Sequence, residues 1–271
     1  MSKFSFLAFF CFLLLGCDLL EQQLNNNSNS NNNNSNNNNN NNTNNSNFEF
    51  IPAGGKGQPK EYKYYTVSYV AKHKNPEWVA YSLDKKQRQQ AENQAIPRES
   101  NFKKDSDFAQ TATNEDYAGS GFDKGHLVPA EDMSFNATAM EQSFFLTNVS
   151  PQNPSFNRGI WKSLEDKTRK WAESEGKVYV IAGGILPKKI TEAIGEGVTV
   201  PKQFFKIVMD YKGKKAIAFI FDNAKATKPL KEHAVAISQI EKLTGFNFFP
   251  NLSTTEQQQL EQTFDVNQWD F

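Results

Sequence analysis

The chain has 271 residues, enough for one large domain or two small ones. Lys and Arg together match Asp and Glu, 30 each, so overall charge does not announce a nucleic-acid binder, although a sum says nothing about a local basic face. The only cysteines, Cys11 and Cys17, fall in the N-terminal apolar stretch, which excludes a disulfide, a thiolate metal site and a cysteine nucleophile from the remainder.

The chain starts with a short positive head, Met1-Ser2-Lys3, and an apolar run from Phe4 to Leu15. The run is short for a transmembrane helix and is read as a secretory signal over residues 1–16. It ends in Leu14-Leu15-Gly16-Cys17, which resembles a bacterial lipobox. The resemblance implies cleavage before Cys17 and acylation of its thiol, hence a lipid-anchored, exported protein on the periplasmic or cell-surface side of a bacterial membrane. Residues 25–47 are nearly all Asn with some Ser and one Thr. Such a segment buries nothing to offset its ordering entropy, so residues 17–47 are read as a tether. Removing the first 47 residues takes away Lys3, Asp18 and Glu21 and leaves 29 basic against 28 acidic residues.

A folded domain is expected over 48–271, about 220 residues and sufficient for one core. Tyr64 to Val70 and Trp78 to Leu83 carry the β-branched and aromatic composition of strands. Lys85 to Ala95 is a short surface helix or a loop. Phe102 to Gly121 lacks periodicity and is read as a long loop of the kind that often carries function. Phe144 to Val149 reads as a strand, with Pro151 and Pro154 breaking the chain after it. Asn157 to Glu175 has helical apolar spacing at Ile160, Trp161, Leu164, Trp171 and Ala172. Lys177 to Ala182 is a further strand. Phe204 to Tyr211 and Lys215 to Phe221 form a hairpin, and Glu232 to Leu243 a helix with Val235, Ala236, Ile240 and Leu243 inward. The class is α+β: mixed antiparallel sheets with packed helices.

Chemistry concentrates between Arg98 and Glu165. His126, one of three histidines, sits in Phe122-Asp-Lys-Gly-His-Leu-Val-Pro-Ala130 on an expected strand. No serine-centred elbow, H-E-x-x-H or phosphate-loop glycine pattern is present, leaving histidine as base with a cation held by oxygen ligands. Read alone, Asn157 is also a helix cap, Glu165 a solvated helix face and Arg98 an ordinary surface charge. Trp161, Leu164 and Trp171 are core rather than base-stacking platforms, and His73 and His233 carry no assignment.

Three blocks in order, D-K-G-H-L-V-P-A at 123–130, T-N-V-S-P-Q at 147–152 and F-N-R-G-I-W-K-S-L-E at 156–165, resemble the DNA/RNA non-specific endonucleases with a ββα-metal finger. That family includes secreted bacterial nucleases and mitochondrial endonuclease G. The stretches V-Y-V-I-A-G-G and V-P-K-Q-F-F-K-I-V resemble its sheet, so the likeness runs from about Tyr62 to Pro250. It implies a ββα-metal finger active site and an Mg²⁺-dependent, sugar-non-specific endonuclease, with Mn²⁺ as an alternative cation and 5′-phosphate products. His126 would be the general base, its ordinary pKa of about 6.5 suiting proton removal from water near neutrality. Asn157 would ligate the cation through its amide oxygen. Eight residues of regular helix rise roughly 12 Å, so Glu165 would orient a cation-bound water rather than share the ion. Asn148 would hydrogen-bond near His126 or the phosphate, and Arg98 would neutralise the transition-state phosphate. Lys124 stands where the family usually has arginine, keeping charge for substrate binding but losing the bidentate fork. DNA and RNA would be held through the phosphate backbone. The rival expectation is a catalytically weak or inactive surface lipoprotein that binds nucleic acid.

Overall fold

A computed structural model describes residues Phe50–Gln94 and Ile96–Phe271. The signal, Cys17 and the Asn-rich tether lie outside the described residues. Strands β1 (Gln58–Glu61), β2 (Tyr65–Val70) and β3 (Asn75–Asp84) run antiparallel, followed by helix α1 (Lys85–Gln94). The long segment after it contains one capped turn, α2 (Asn114–Tyr117), before β4 (Asp123–His126). Next come α3 (Ala137–Ser143), β5 (Val149–Gln152) and α4 (Lys162–Glu175). The chain continues through β6 (Lys177–Gly184), the small hairpin β7 (Ala193–Ile194) and β8 (Val198–Thr199), β9 (Gln203–Asp210) and β10 (Ala216–Asp222). It closes with β11 (Ala234–Val235), α5 (Ile237–Thr244) and α6 (Thr254–Gln262).

Seven strands form one antiparallel sheet in the order β1-β2-β3-β6-β9-β10-β11, while β4 and β5 pair apart from it as a two-stranded ribbon. Both sheet faces are covered, so its central strands read as near-continuous apolar runs instead of alternating. Alternation survives in which layer each side chain joins. Val79, Tyr81 and Leu83 of β3 join Trp161, Leu164, Trp171 and Ala172 from the α4 side. Trp78 and Ala80 join Ile237, Ile240, Phe248 and Leu260 on the opposite face.

Four local expectations are corrected. Phe144 to Val149 is not one strand: Phe144 ends α3, Leu146–Asn148 is a 3-10 turn, and β5 starts at Val149. The apolar run serves as anchors, with Phe144 and Leu146 both buried. Pro151 does not break this segment; it stands within β5 opposite Lys124, as an edge strand with no further ladder to donate to permits. Glu232 to Leu243 is not one helix either, because Ala234 and Val235 extend the sheet by pairing with Phe219 and Ala218. Helix α5 therefore begins at Ile237, and with about 100° per residue Leu243 falls well off the Ile237–Ile240 direction and is 53 % exposed. Finally, the helix expected from Asn157 begins as a widened π-type turn, Phe156–Trp161, with non-helical backbone at Gly159 (φ −103°, ψ −110°), and only then becomes α4. The estimate of regular rise between Asn157 and Glu165 does not hold across that kink.

Candidate active site

The β4–β5 ribbon and α4 make a ββα unit, and its register decides which side chains share a face. Asp123 faces Gln152 and Gly125 faces Ser150, while Lys124 and His126 take the other side opposite Pro151 and Val149. Gly125 has a steric reason: a Cβ there would overlap the amide of the fully buried Gln152. The glycine lets β5 approach the backbone beside His126.

His126 is 9 % exposed and lies in an aromatic slot, with the rings of Phe102 and Phe144 each 4.9 Å from its own. Its Nε2 is buried and has no hydrogen-bond partner among the described residues. Burial, then the positive charge of Arg98, push the imidazole down to about 3, so it is neutral across the physiological range. The backbone carbonyl of His126 accepts from Trp161 Nε1 at 3.3 Å, which ties β4 to the start of α4.

Asn148 is fully buried. Its Oδ1 accepts from Val128 N at 2.9 Å, and its Nδ2 donates to Val128 O at 2.9 Å and to Ser143 O at 2.8 Å. With Leu127 N donating to Asn148 O at 3.0 Å, this residue pins the segment leaving His126. Its amide is committed to protein groups near His126, the first of the two expected placements, and is not spare for a phosphate.

Asn157 does not cap a helix. Its Nδ2 donates to Asp123 Oδ2 at 2.9 Å. A carboxylate only accepts, so the amide presents NH₂ to it and turns Oδ1 away; that oxygen accepts no hydrogen bond from the described residues. The fork of Arg158 holds the same carboxylate, Nε to Oδ2 at 2.9 Å and Nη2 to Oδ1 at 2.6 Å. Burial works to raise the Asp123 carboxyl, but the hydrogen bonds from Arg158 and Asn157 outweigh it and hold the group below the usual carboxylate range. Asp123 is thus the anchor that fixes Asn157.

Of these groups, His126, Asn157 and Arg158 line one cavity of about 310 Å³, which is bounded also by Arg98, Lys124, Pro129, Ala130, Glu131, Lys162, Glu165 and Arg169. Five of the lining side chains are cationic and two are carboxylates; Arg158, Lys162 and Arg169 are ion-paired with Asp123, Asp166 and Asp132, while Arg98 and Lys124 make no ion pair among the described residues. Arg98 is in a loop, its guanidinium 5.1 Å from the Phe144 ring centre. Lys124 Nζ donates to Asn114 Oδ1 at 2.8 Å and stands 5.3 Å from the Phe102 ring, so the long loop read from its lack of periodicity supplies both a wall for His126 and a tether for Lys124. Glu165 is no solvated face: its side chain is 15 % exposed and lies 4.0 Å from Lys206 Nζ.

Sequence reasoning passed over Arg158, Arg169 and Lys206. Arg169 follows Glu165 by one helical turn, a spacing that puts both on one face. It donates to Asp132 Oδ1 at 2.8 Å, and Asp132 also accepts from Tyr81 Oη at 2.8 Å. Arg158 was hidden by being next to Asn157. The signal for Lys206 was a single lysine inside the apolar strand Phe204–Met209.

The domain from residue 42 to residue 255 matches the model of the DNA/RNA non-specific endonucleases. The chain belongs to that family. It is 33 % identical to human mitochondrial endonuclease G over 217 residues, covering 73 % of this chain and 71 % of that protein. It is 30 % identical to the mitochondrial nuclease EXOG of Danio rerio over 236 residues, covering 80 % and 67 %, and 30 % identical to a nuclease of Nostoc over 218 residues, covering 74 % and 76 %. Against the EXOG of Xenopus laevis the match spans 59 % of that protein's own length. A chain from a crystal structure of an EndoG/EndoGI complex superimposes with a TM-score of 0.67 at 27 % identity, covering 76 % of this chain and 90 % of that one. These likenesses give the antiparallel sheet, the ribbon and α4 as the frame of an endonuclease family.

Proposed function

We propose that the protein hydrolyses phosphodiester bonds of both DNA and RNA, leaving 5′-phosphate ends, with His126 as general base and Mg²⁺, or Mn²⁺ in its place, held at Asn157. One observation carries this reading: a histidine with a buried, unpartnered nitrogen and an asparagine with a spare amide oxygen line the same cationic cavity. A hard cation that keeps most of its water needs few protein ligands, and the Asn157 oxygen, locked in orientation by Asp123, fits that requirement. When bound, the cation supplies charge that stabilises the phosphorus centre and the departing 3′ oxygen.

The neutral imidazole of His126 takes a proton from the attacking water. Arg98 and Lys124 hold the phosphate, and Glu165 accepts hydrogen bonds from water on the Asn157 side of the cavity. Burial is the larger cause that depresses His126; a phosphate beside Arg98 cancels the lesser one, the repulsion from Arg98, and so raises the basicity of His126 when substrate is bound. Binding through phosphates makes recognition salt-sensitive and weak in sequence preference.

The direct experiment is plasmid and RNA digestion with Mg²⁺ and with a chelator; binding without turnover would support the non-catalytic alternative. Lys124→Arg should raise kcat several-fold, because a planar fork grips two phosphate oxygens where an ammonium is a point charge. Steady-state cleavage at saturating DNA measures it, and an unchanged or lower kcat would remove Lys124 from transition-state contact. We also infer that the domain is tethered to a bacterial membrane by acyl chains on Cys17, each buried methylene contributing roughly 0.8 kcal/mol. Cys17→Ser should abolish palmitate labelling and membrane association; retained association would contradict the anchor.

A further inference from the structure

Lys206 stands in the middle of β9 and has no exposed surface. Strand alternation puts it between Phe204 and Val208, both members of the apolar layer beneath α4. Its Nζ forms no hydrogen bond among the described residues. An ammonium taken wholly out of water is costly unless a countercharge compensates it, and a well-packed apolar side chain usually serves stability as well or better. Two groups compensate here: Glu165 Oε1 at 4.0 Å and the face of Trp161, whose ring centre lies 4.4 Å away. Trp161 is itself the residue whose indole holds the His126 carbonyl.

We propose that Lys206 is a positioning residue whose charge favours the carboxylate form of Glu165 at the cavity wall and acts on the reaction only through that carboxylate. The inference rests on the reading of Glu165 as the group that orders water. The separation of 4.0 Å is part of the device: Lys206 supplies charge without donating a hydrogen bond, so the lone pairs of Glu165 stay available to water. Burial raises the Glu165 carboxyl, and Lys206 is the strongest influence opposing that rise. The other groups facing Glu165 are Arg169 and Asp166 on its own helix, Asp132 from the turn after Pro129, Tyr81 from β3, and Arg98, Lys124 and His126 around the cavity. Arg169 is already shared among Asp132, Asp166 and Glu131. Among the described residues, Lys206 is the cation whose ion pairing goes to Glu165 alone.

The test follows the side-chain carboxyl carbon of Glu165 by ¹³C NMR across pH in metal-free, substrate-free full-length protein, wild type against Lys206→Met. Its titration midpoint should move up by about one pH unit or more, a tenfold gain in proton affinity. The acid limb of kcat should move in the same direction, with KM unchanged. An unchanged midpoint overturns the proposal, and so does a loss of kcat that is equal at every pH. If Lys206→Met does not fold, Glu165→Gln reads the coupling from the other side: the Lys206 ammonium, followed by ¹⁵N NMR, should lose its proton at lower pH than in wild type, and an unchanged midpoint again overturns the pairing. Because the titrations need neither cation nor nucleic acid, their failure is distinct from failure of the nuclease reading. A shifted midpoint with cleavage unaltered across pH would take Glu165 out of the reaction and overturn the positioning role.

Discussion

His126→Ala is expected to lower kcat for plasmid cleavage by about 10³-fold, the span a well-placed general base contributes. The substitution removes the only imidazole of the cavity and leaves its cations in place, so KM for DNA should change little. The pH dependence adds a second readout. Burial raises Glu165 to about 7, so an acid limb near neutrality belongs to Glu165, whereas burial and Arg98 hold His126 in the free protein down to about 3 and it should add no acid limb of its own there. The same depressed value bears on folding. A group whose folded pKa lies below its unfolded value contributes stability above the unfolded pKa, and loses it as pH falls through the folded one. Wild type should therefore lose a few kcal/mol relative to His126→Gln between about pH 6.5 and about pH 3. Urea denaturation at several pH values measures this. Parallel curves for the two proteins would mean that His126 titrates normally, and a His126→Ala protein that still cleaves at the wild-type rate would remove it as base.

Asn157→Ala should cost about 10²-fold or more in cleavage at millimolar Mg²⁺, with part of the loss recovered as the cation concentration rises. The amide is the cavity's spare oxygen, and its orientation depends on Asp123. Stability should fall by only about 1 kcal/mol, the usual worth of one hydrogen bond, because Arg158 still pairs with Asp123. Asn157→Asp is the sharper comparison. It sets a second carboxylate against Asp123 Oδ2 where an N–H donated, so the gain of a charged ligand is opposed by repulsion at its support. Mn²⁺ affinity followed by electron paramagnetic resonance should drop for Asn157→Ala. Unchanged affinity together with unchanged activity would place the cation elsewhere.

What the sequence discloses here is what is local. Asp123 to His126 is contiguous, and its companions Asn148 and Asn157 lie in short blocks, so it is the likeness of those blocks to the endonuclease family that marks them. The apolar spacing at Trp161, Leu164 and Trp171 identifies a buried helix face correctly. The first turn of that helix was not readable, because its widening depends on how Phe156 and Trp161 seat against Phe204 and Phe221, far along the chain. The strand expected at Phe144 to Val149 has the composition of a strand, yet its first half finds only an isolated bridge between Phe145 and Lys103 rather than a sheet. The split of 232–243 into an added strand and a shorter helix depends likewise on the free edge of β10. Lys206 is the plainest case. Its neighbours in sequence mark a buried strand, but that its partner is Glu165 follows from α4 crossing that face, a contact between residues 41 positions apart that local pattern does not encode.

The central claim is that one cavity holds both the base and the cation. It is tested most directly by incubating the purified protein with supercoiled plasmid and with RNA, in Mg²⁺ and in a chelator, alongside His126→Ala and Asn157→Ala. Both polymers should be cut by wild type in Mg²⁺ and spared in chelator, His126→Ala should stay slow at every Mg²⁺ concentration, and Asn157→Ala should recover partly as Mg²⁺ is raised. Equal cleavage by all three proteins, or cleavage that persists undiminished in chelator, would contradict the account.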